Sequence, residues 1–269
     1  MRTSSNPAFR NLSSGQGGGY ATFDRQGGGL MGGGAAYADA QASQVGYGRA
    51  GSGERPITID DVVQKTAITA GAALVAGVLT AVSGAYFLAL PAFIVGFVVS
   101  LIVIFKQSSN PALVLTYSVA MGVALGGVSG LFNDIYPGIA LQAIIGTAGV
   151  FVGMLVLYKT GAVKVTPKFT KWLMGALIGV TVLMLFNLVM SLFGVNTGLR
   201  DGGPIAIIFS LVVIGVAAFS LMLDFDQATQ AIRAGAPAKF AWYISFGLMT
   251  TLVWLYIEIL RLLSYLRQD

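Results

Sequence analysis

Three carboxylates stand in otherwise uncharged, hydrophobic sequence near the end of the chain. Asp224 and Asp226 follow the uncharged run 202–223, and Glu258 follows the uncharged run 240–257. Placing a carboxylate next to hydrocarbon is unfavourable, so such a side chain faces a partner, a cavity or an ion path. These three residues are therefore the candidates for proton or cation chemistry.

The residue types that the chain lacks exclude several kinds of chemistry. It has no cysteine and no histidine, which removes disulfides, thiolate metal sites, serine–histidine hydrolysis and zinc or haem held by histidine. The last hydrophobic run has no lysine after Lys239 that could form a Schiff base, which argues against a retinal protein. We therefore expect no enzymatic activity and no cofactor.

Long uncharged runs must supply the elements that position the carboxylates. The runs are 66–105, 107–133, 135–158, 172–199, 202–223 and 240–257. A membrane-spanning helix needs about 20 apolar residues, so the first run is long enough for two. Only 10% of the residues are charged, against about 25% in soluble domains. The sequence predicts an all-α membrane protein, a seven-transmembrane-helix bundle.

Local signals set approximate limits for these helices. Thr58 is a candidate N-cap, with Asp60 and Asp61 at the positive end of the helix dipole. Pro111 suits the first turn of the third helix. The predicted spans are 58–83, 86–105, 111–132, 138–158, 172–193, 204–233 and 238–265.

Glycines spaced four apart occur within the predicted spans. The pairs are Gly122 with Gly126, Gly126 with Gly130, and Gly149 with Gly153. This spacing lets helix backbones approach closely. We expect these glycines to pack helices within one bundle, with a dimer interface as the alternative.

Residues 1–57 differ in composition from the rest. Fourteen of the first 55 residues are glycine, and no apolar stretch typical of a signal peptide is present. Such a segment cannot bury enough apolar surface to offset its conformational entropy. We predict a disordered Gly-rich cytoplasmic tail over 1–57, which could also bind protein partners, and a seven-helix transmembrane domain over 58–269.

The basic residues are distributed unequally between the two sides of the predicted bundle. Eight Lys and Arg residues fall in loops or flanks on the side of the first helix's start, and three fall on the other side. Basic residues favour the cytoplasmic side. The prediction is a multi-pass protein of the cell membrane, with the N-terminus cytoplasmic and the C-terminus external. We assign the net charge of +5 to this bias, and expect no nucleic-acid binding.

The spacing of the carboxylates limits which of them share a site. Asp224 and Asp226 point about 200° apart on a helix, so one faces the interior at most. Arg233 shares a face with Asp226, which favours Asp224 as the interior residue. Alternatively, both aspartates lie at a solvated helix end, and Glu258 pairs with Arg261 three residues along.

A pH-dependent site results if Asp224 and Glu258 approach each other. Their protonation then becomes coupled, and one shared proton holds the pair together at acidic pH. Ionisation leaves negative oxygens that separate or bind a hard cation such as calcium. Calcium is expected here as a transported ion, with both carboxylates as its ligands.

The chain resembles the transmembrane Bax inhibitor motif family, in its bacterial YccA-like branch. The resemblance rests on Asp224-Phe-Asp-Gln227 and on Leu255-Tyr-Ile-Glu-Ile-Leu-Arg-Leu-Leu263. It implies a pH-sensitive calcium leak channel with a carboxylate latch between the sixth helix and a central seventh helix. Asp224 matches the first carboxylate of the latch, and Glu258 matches the second, with Glu in place of Asp.

Two features depart from the family pattern. In a straight hairpin Glu258 would lie roughly 15 Å deeper than Asp224, so direct contact needs a bend around 237–247. The first three spans also contain no charged residue within their hydrophobic cores. An alternative function is a membrane scaffold or stress-related interaction protein without conduction. A secondary transporter would need an inverted repeat, which the sequence does not show.

Overall fold

The computed structural model describes residues 50–51, 54–195 and 197–268. Nearly all of the predicted N-terminal tail, residues 1–49 together with 52–53, lies outside the described residues. The predicted boundary between tail and membrane domain stays a prediction.

Seven long α-helices account for most of the described chain, which confirms the predicted seven-helix bundle. They are α1 (Ile59–Ser83), α2 (Ala89–Lys106), α3 (Pro111–Ile135), α4 (Ile139–Thr160), α5 (Pro167–Leu192), α6 (Pro204–Arg233) and α7 (Ala241–Tyr265). Short 3₁₀ turns precede α2 and α7, at Tyr86–Leu88 and Ala238–Phe240. Each span is long and apolar enough to cross a membrane.

Consecutive spans joined by short connections run antiparallel, so the bundle has two sides. We call the side where α1 begins the N-terminal side and the side where α7 ends the C-terminal side. The α6–α7 connection lies on the N-terminal side. The α5–α6 connection, which contains Arg200, lies on the C-terminal side.

Polar side chains at the helix starts explain where the helices begin. Thr58 caps α1, as the sequence predicts, and Asp61 completes a reciprocal capping box with it, a role that was not predicted from the sequence. Thr166 accepts a hydrogen bond from the Phe169 amide at the start of α5, and Pro167 occupies the first turn. The predicted start of this helix at 172 is therefore wrong by five residues, because α5 continues beyond its uncharged run.

Helix α7 lies in the middle of the bundle. It packs against α1, α3, α4 and α6, while α2 packs on α3 and α5 packs on α6. Many large apolar side chains on the outer helices point outwards, including Phe105 at 82% exposed and Leu192 at 78%. Outward apolar faces around a buried central helix are the arrangement of a multi-pass membrane protein.

Helices α1 and α3 approach so closely that their contact requires glycine. A methyl group at Gly122 would lie 2.7 Å from the Cα atom of Ala73, and one at Gly126 would lie 2.6 Å from the Cα atom of Gly77. These glycines thus pack helices within one chain, as expected. By contrast, a methyl group at Gly149 or Gly153 would meet nothing within 4 Å, so that predicted pair makes no close helix contact here.

The segment before α1 is held against the α6–α7 connection. The Ile57 amide donates to the Ala236 carbonyl at 2.8 Å, and the Ala238 amide donates to the Arg55 carbonyl at 2.9 Å. Lys239 pairs with Glu54 at 2.6 Å, and this hydrogen bond lowers the pKa of the exposed Glu54 carboxyl. The start of the membrane domain is therefore joined to the hairpin that carries the candidate carboxylates.

Candidate functional site

Asp224 faces α7 from the last third of α6. Its Oδ2 atom accepts a hydrogen bond from the Thr251 hydroxyl at 2.7 Å. The carboxylate borders a cavity of about 240 Å³ that Tyr243, Gly247 and Thr251 also line. A methyl group at Gly247 would lie 4.0 Å from Oδ1 of Asp224, so the α7 backbone comes close to the carboxylate there. The Asp224 carboxylate thus accepts one hydrogen bond, from a neutral hydroxyl, and borders open space.

Glu258 lies on α7 and is only 2% exposed. Its Oε1 atom accepts from Nη1 of Arg261 at 2.8 Å and from Nη2 of Arg200 at 3.3 Å. Its Oε2 atom is buried and has no hydrogen-bond partner among the described residues. Both guanidinium groups therefore bind one carboxylate oxygen, and the other oxygen has no hydrogen-bond donor among the described residues.

The α5–α6 connection carries Arg200 to this site. The Tyr265 hydroxyl donates to the Arg200 carbonyl at 3.3 Å, which anchors the connection to the end of α7. Burial, together with the positive charge of Arg261, lowers the pKa of the Arg200 guanidinium, which still stays charged because arginine starts from so high a value. The cluster of Arg200, Glu258 and Arg261 carries a net positive charge.

The structure does not bring Asp224 and Glu258 together as a pair. Asp224 bonds to Thr251, and Thr251 and Glu258 are seven residues apart on α7, a rise of about 10 Å. The 3₁₀ turn at Ala238–Phe240 precedes a continuous α7, so no bend within 241–247 closes this distance. The two carboxylates lie at different levels along the central helix α7, Asp224 contacting it from α6 and nearer the N-terminal side, and Glu258 within it.

Asp226 faces a different helix from Asp224. Tyr158 of α4 donates to its Oδ1 atom at 3.4 Å, and Gln230 donates to its Oδ2 atom at 2.5 Å. The same tyrosine hydroxyl lies 2.9 Å from the Thr229 hydroxyl. This secondary candidate thus belongs to a polar contact between α4 and α6.

The comparison with known families covers almost the entire chain. A family model described as Bax inhibitor 1 like matches residues 6–268. The chain belongs to the Bax inhibitor 1 like family. The match includes all seven helices and both carboxylate motifs, but it does not distinguish branches of the family. No curated protein matches the chain.

In this Bax inhibitor 1 like protein, sequence reasoning missed two partners of the candidate carboxylates. Arg200 is one of only three basic residues expected on the C-terminal side, where Glu258 also lies, and that coincidence was an available signal. Thr251 offered none, because a neutral threonine in an apolar helix is unremarkable. Within the described residues no three Asp or Glu side chains come together as a metal cluster.

Proposed function

We propose that this Bax inhibitor 1 like protein is a pH-sensitive leak channel for calcium or a similar cation. The observation that carries the proposal is that carboxylates lie at two levels along the central helix α7: Asp224 of α6 beside a cavity, and Glu258 of α7 with an oxygen that lacks a hydrogen-bond partner among the described residues. Hard cations prefer such oxygen ligands, and intramembrane carboxylates mark ion paths. The positive-inside bias favours a cell-membrane protein with a cytoplasmic N-terminus.

In this proposal each carboxylate is held by its own partner in the non-conducting state. Thr251 holds Asp224, and the two arginines hold Glu258. A cation moving along α7 would exchange these partners one after the other. The latch therefore consists of two separate contacts, and the two carboxylates need not touch.

The expected pH dependence follows from the charge of the carboxylates. An ionised carboxylate attracts a cation and a protonated one does not. We therefore expect more calcium flux at alkaline pH than at acidic pH, because ionised carboxylates are more numerous there.

Calcium flux into proteoliposomes tests the proposal directly. The purified full chain is compared with Asp224→Asn, Glu258→Gln and the control Asp226→Asn, at about pH 6 and about pH 8, a range in which buried carboxyls can titrate. We expect greater flux at the higher pH for the unaltered chain. Asp224→Asn and Glu258→Gln should each reduce that flux, and Asp224→Asn should also flatten its pH dependence, whereas Asp226→Asn should change neither.

The other outcomes distinguish the alternatives. If folded, unaltered protein gives no flux above empty liposomes, conduction is rejected and the scaffold function becomes the better explanation. If flux persists and ignores both substitutions, the channel remains but the assignment of Asp224 and Glu258 is wrong. A loss of flux in Asp226→Asn alone would move the path to the contact between α4 and α6.

A further inference from the structure

A long apolar groove runs along the outside of the bundle between α1 and α4. Its volume is about 780 Å³. One face of α1 and one face of α4 form its walls, and residues of α3, α6 and α7 form its floor. Several wall residues are exposed, including Val63 at 60% and Leu74 at 49%, so the groove is open at the side.

The dimensions of the groove match the membrane. On α1 its lining extends from Ile59 to Ala81, a rise of about 33 Å. The hydrocarbon core of a bilayer is about 30 Å thick. Because α1 and α4 both span the membrane, the open side of the groove faces lipid. Along most of its length the groove is therefore in contact with lipid hydrocarbon and not with water.

The floor of the groove is deep because its residues are small. Ala73 and Gly77 of α1 meet Gly122 and Gly126 of α3 beneath the groove. Further in, the Ser129 and Tyr256 hydroxyls bond to each other at 2.6 Å, so these polar groups satisfy one another. An apolar chain can therefore lie on this floor without covering an unsatisfied polar group there.

Polar groups that lack partners occur at one end only. Lys159, at the end of α4 on the N-terminal side, is the single charged residue of the lining, and it forms no salt bridge within the described residues. The Thr66 hydroxyl, about two turns into α1, is buried and has no hydrogen-bond partner among the described residues. The N-terminal end of the groove thus offers a positive charge and a hydroxyl, and the rest offers hydrocarbon.

We propose that this groove binds one acyl chain of an anionic phospholipid, whose phosphate lies at Lys159. The acyl chain fills the half of the groove nearer Lys159, because one leaflet accounts for about half of the hydrocarbon thickness, and the phosphate matches the charged end of the groove. A helix of a second copy of the chain, lying in the groove, would offer only apolar side chains and would leave Lys159 without an anionic partner. The proposal does not depend on conduction.

Native mass spectrometry of protein released from nanodiscs tests the proposal. The nanodiscs contain equal amounts of phosphatidylglycerol and phosphatidylcholine, and the full chain is used. We expect one phosphatidylglycerol to stay bound to the unaltered protein. Lys159→Gln should weaken retention about five-fold, because a basic residue near an anionic headgroup contributes about that factor. Lys164→Gln, which changes an exposed lysine outside the groove lining, should leave retention unchanged.

A bulky side chain in the groove provides the second arm. Ala148→Trp places an indole in the groove from α4, and Val152→Trp places one on the outer surface of the same helix, outside the lining. Only Ala148→Trp should abolish the retention of phosphatidylglycerol. If Ala148→Trp does not fold, as judged by circular dichroism and thermal unfolding, Ala67→Trp fills the groove from α1 instead.

Four results would overturn the proposal. One is that Ala148→Trp and Val152→Trp retain phosphatidylglycerol equally. Another is equal retention of phosphatidylcholine and phosphatidylglycerol, which would remove the role of Lys159. The third is a bound free fatty acid in place of phospholipid. The fourth is a dimer that Ala148→Trp dissociates, which would assign the groove to a second copy.

Discussion

Arg200 forms an ion pair with Glu258 across 3.3 Å, and so joins the connection before α6 to the central helix. Arg261 binds the same oxygen at 2.8 Å from its own helix. The positive charges of the two arginines repel a cation that approaches the other oxygen of Glu258, Oε2. Arg200 is the more easily displaced of the two, since it comes from a connection and its bond is longer.

The first prediction is that Arg200→Gln increases calcium flux. Removing a unit charge a few ångström from the carboxylate changes the energy of a nearby cation by about 1 kcal/mol or more, even where the charge is well screened. We expect flux at alkaline pH to rise at least about five-fold. Liposome flux assays measure it, and Arg200→Lys should retain most of the inhibition.

Arg267→Gln is the matched control for this experiment. Arg267 lies on the same side but donates to the Pro137 carbonyl and to Gln142, so its removal should leave flux unchanged. An unchanged flux in Arg200→Gln would show that this arginine does not compete with the cation. Equal increases in both variants would indicate a general surface-charge effect.

The second prediction is that Glu258→Ala destabilises the protein. The change leaves two half-buried arginines without their buried carboxylate, and breaking a buried pair costs up to about 3 kcal/mol. Thermal unfolding in detergent should show a clearly lower midpoint. Glu54→Ala removes an exposed carboxylate from its pair with Lys239 and should show no measurable change. Equal midpoints for Glu258→Ala and the unaltered protein would mean that the cluster adds nothing to stability.

The third prediction concerns the hydroxyl that holds Asp224. Thr251→Val keeps the shape of the side chain but removes the donor to Oδ2, which leaves a partly buried acceptor unsatisfied at a cost of about 1 kcal/mol. Thermal unfolding in detergent measures this loss of stability as a lower midpoint.

Thr69→Val is its control. Thr69 is fully buried, but its hydroxyl donates only to the Thr66 carbonyl of its own helix. Thr69→Val should lower the unfolding midpoint less than Thr251→Val does. If both variants lower the midpoint equally, the hydrogen bond between Thr251 of α7 and Asp224 of α6 adds no stability beyond that of a bond within one helix. Thr251 then does not hold Asp224 in place.

The sequence predicted the helices well because the membrane imposes their length. Uncharged runs long enough to span hydrocarbon can form only helices or closed barrels, and each run corresponds to observed helices. The cap at Thr58 and the contact between Glu258 and Arg261 are local, so spacing along one helix was enough to anticipate them.

What the sequence could not predict depends on contacts between distant segments. Arg200 reaches Glu258 across 58 positions, and its direction depends on the fold of the α5–α6 connection. Likewise the spacing of Gly149 and Gly153 equals that of Gly122 and Gly126, yet only the second pair meets another backbone. Spacing shows that a close approach is allowed, while packing decides whether it occurs.

The fourth prediction uses that difference between the two glycine pairs. Gly126→Ala forces a methyl group into the backbone of Gly77, and overpacking of this kind costs about 3 kcal/mol or more where backbone must shift. Gly149→Ala adds the same methyl group at a helix position with open space, where alanine gains about 0.5–1 kcal/mol over glycine in helix propensity. The first variant should give a much lower unfolding midpoint and the second an equal or higher one. Equal destabilisation by both would show that α1 and α3 are not in glycine-dependent contact, and destabilisation by Gly149→Ala alone would point to a helix contact made by a partner chain.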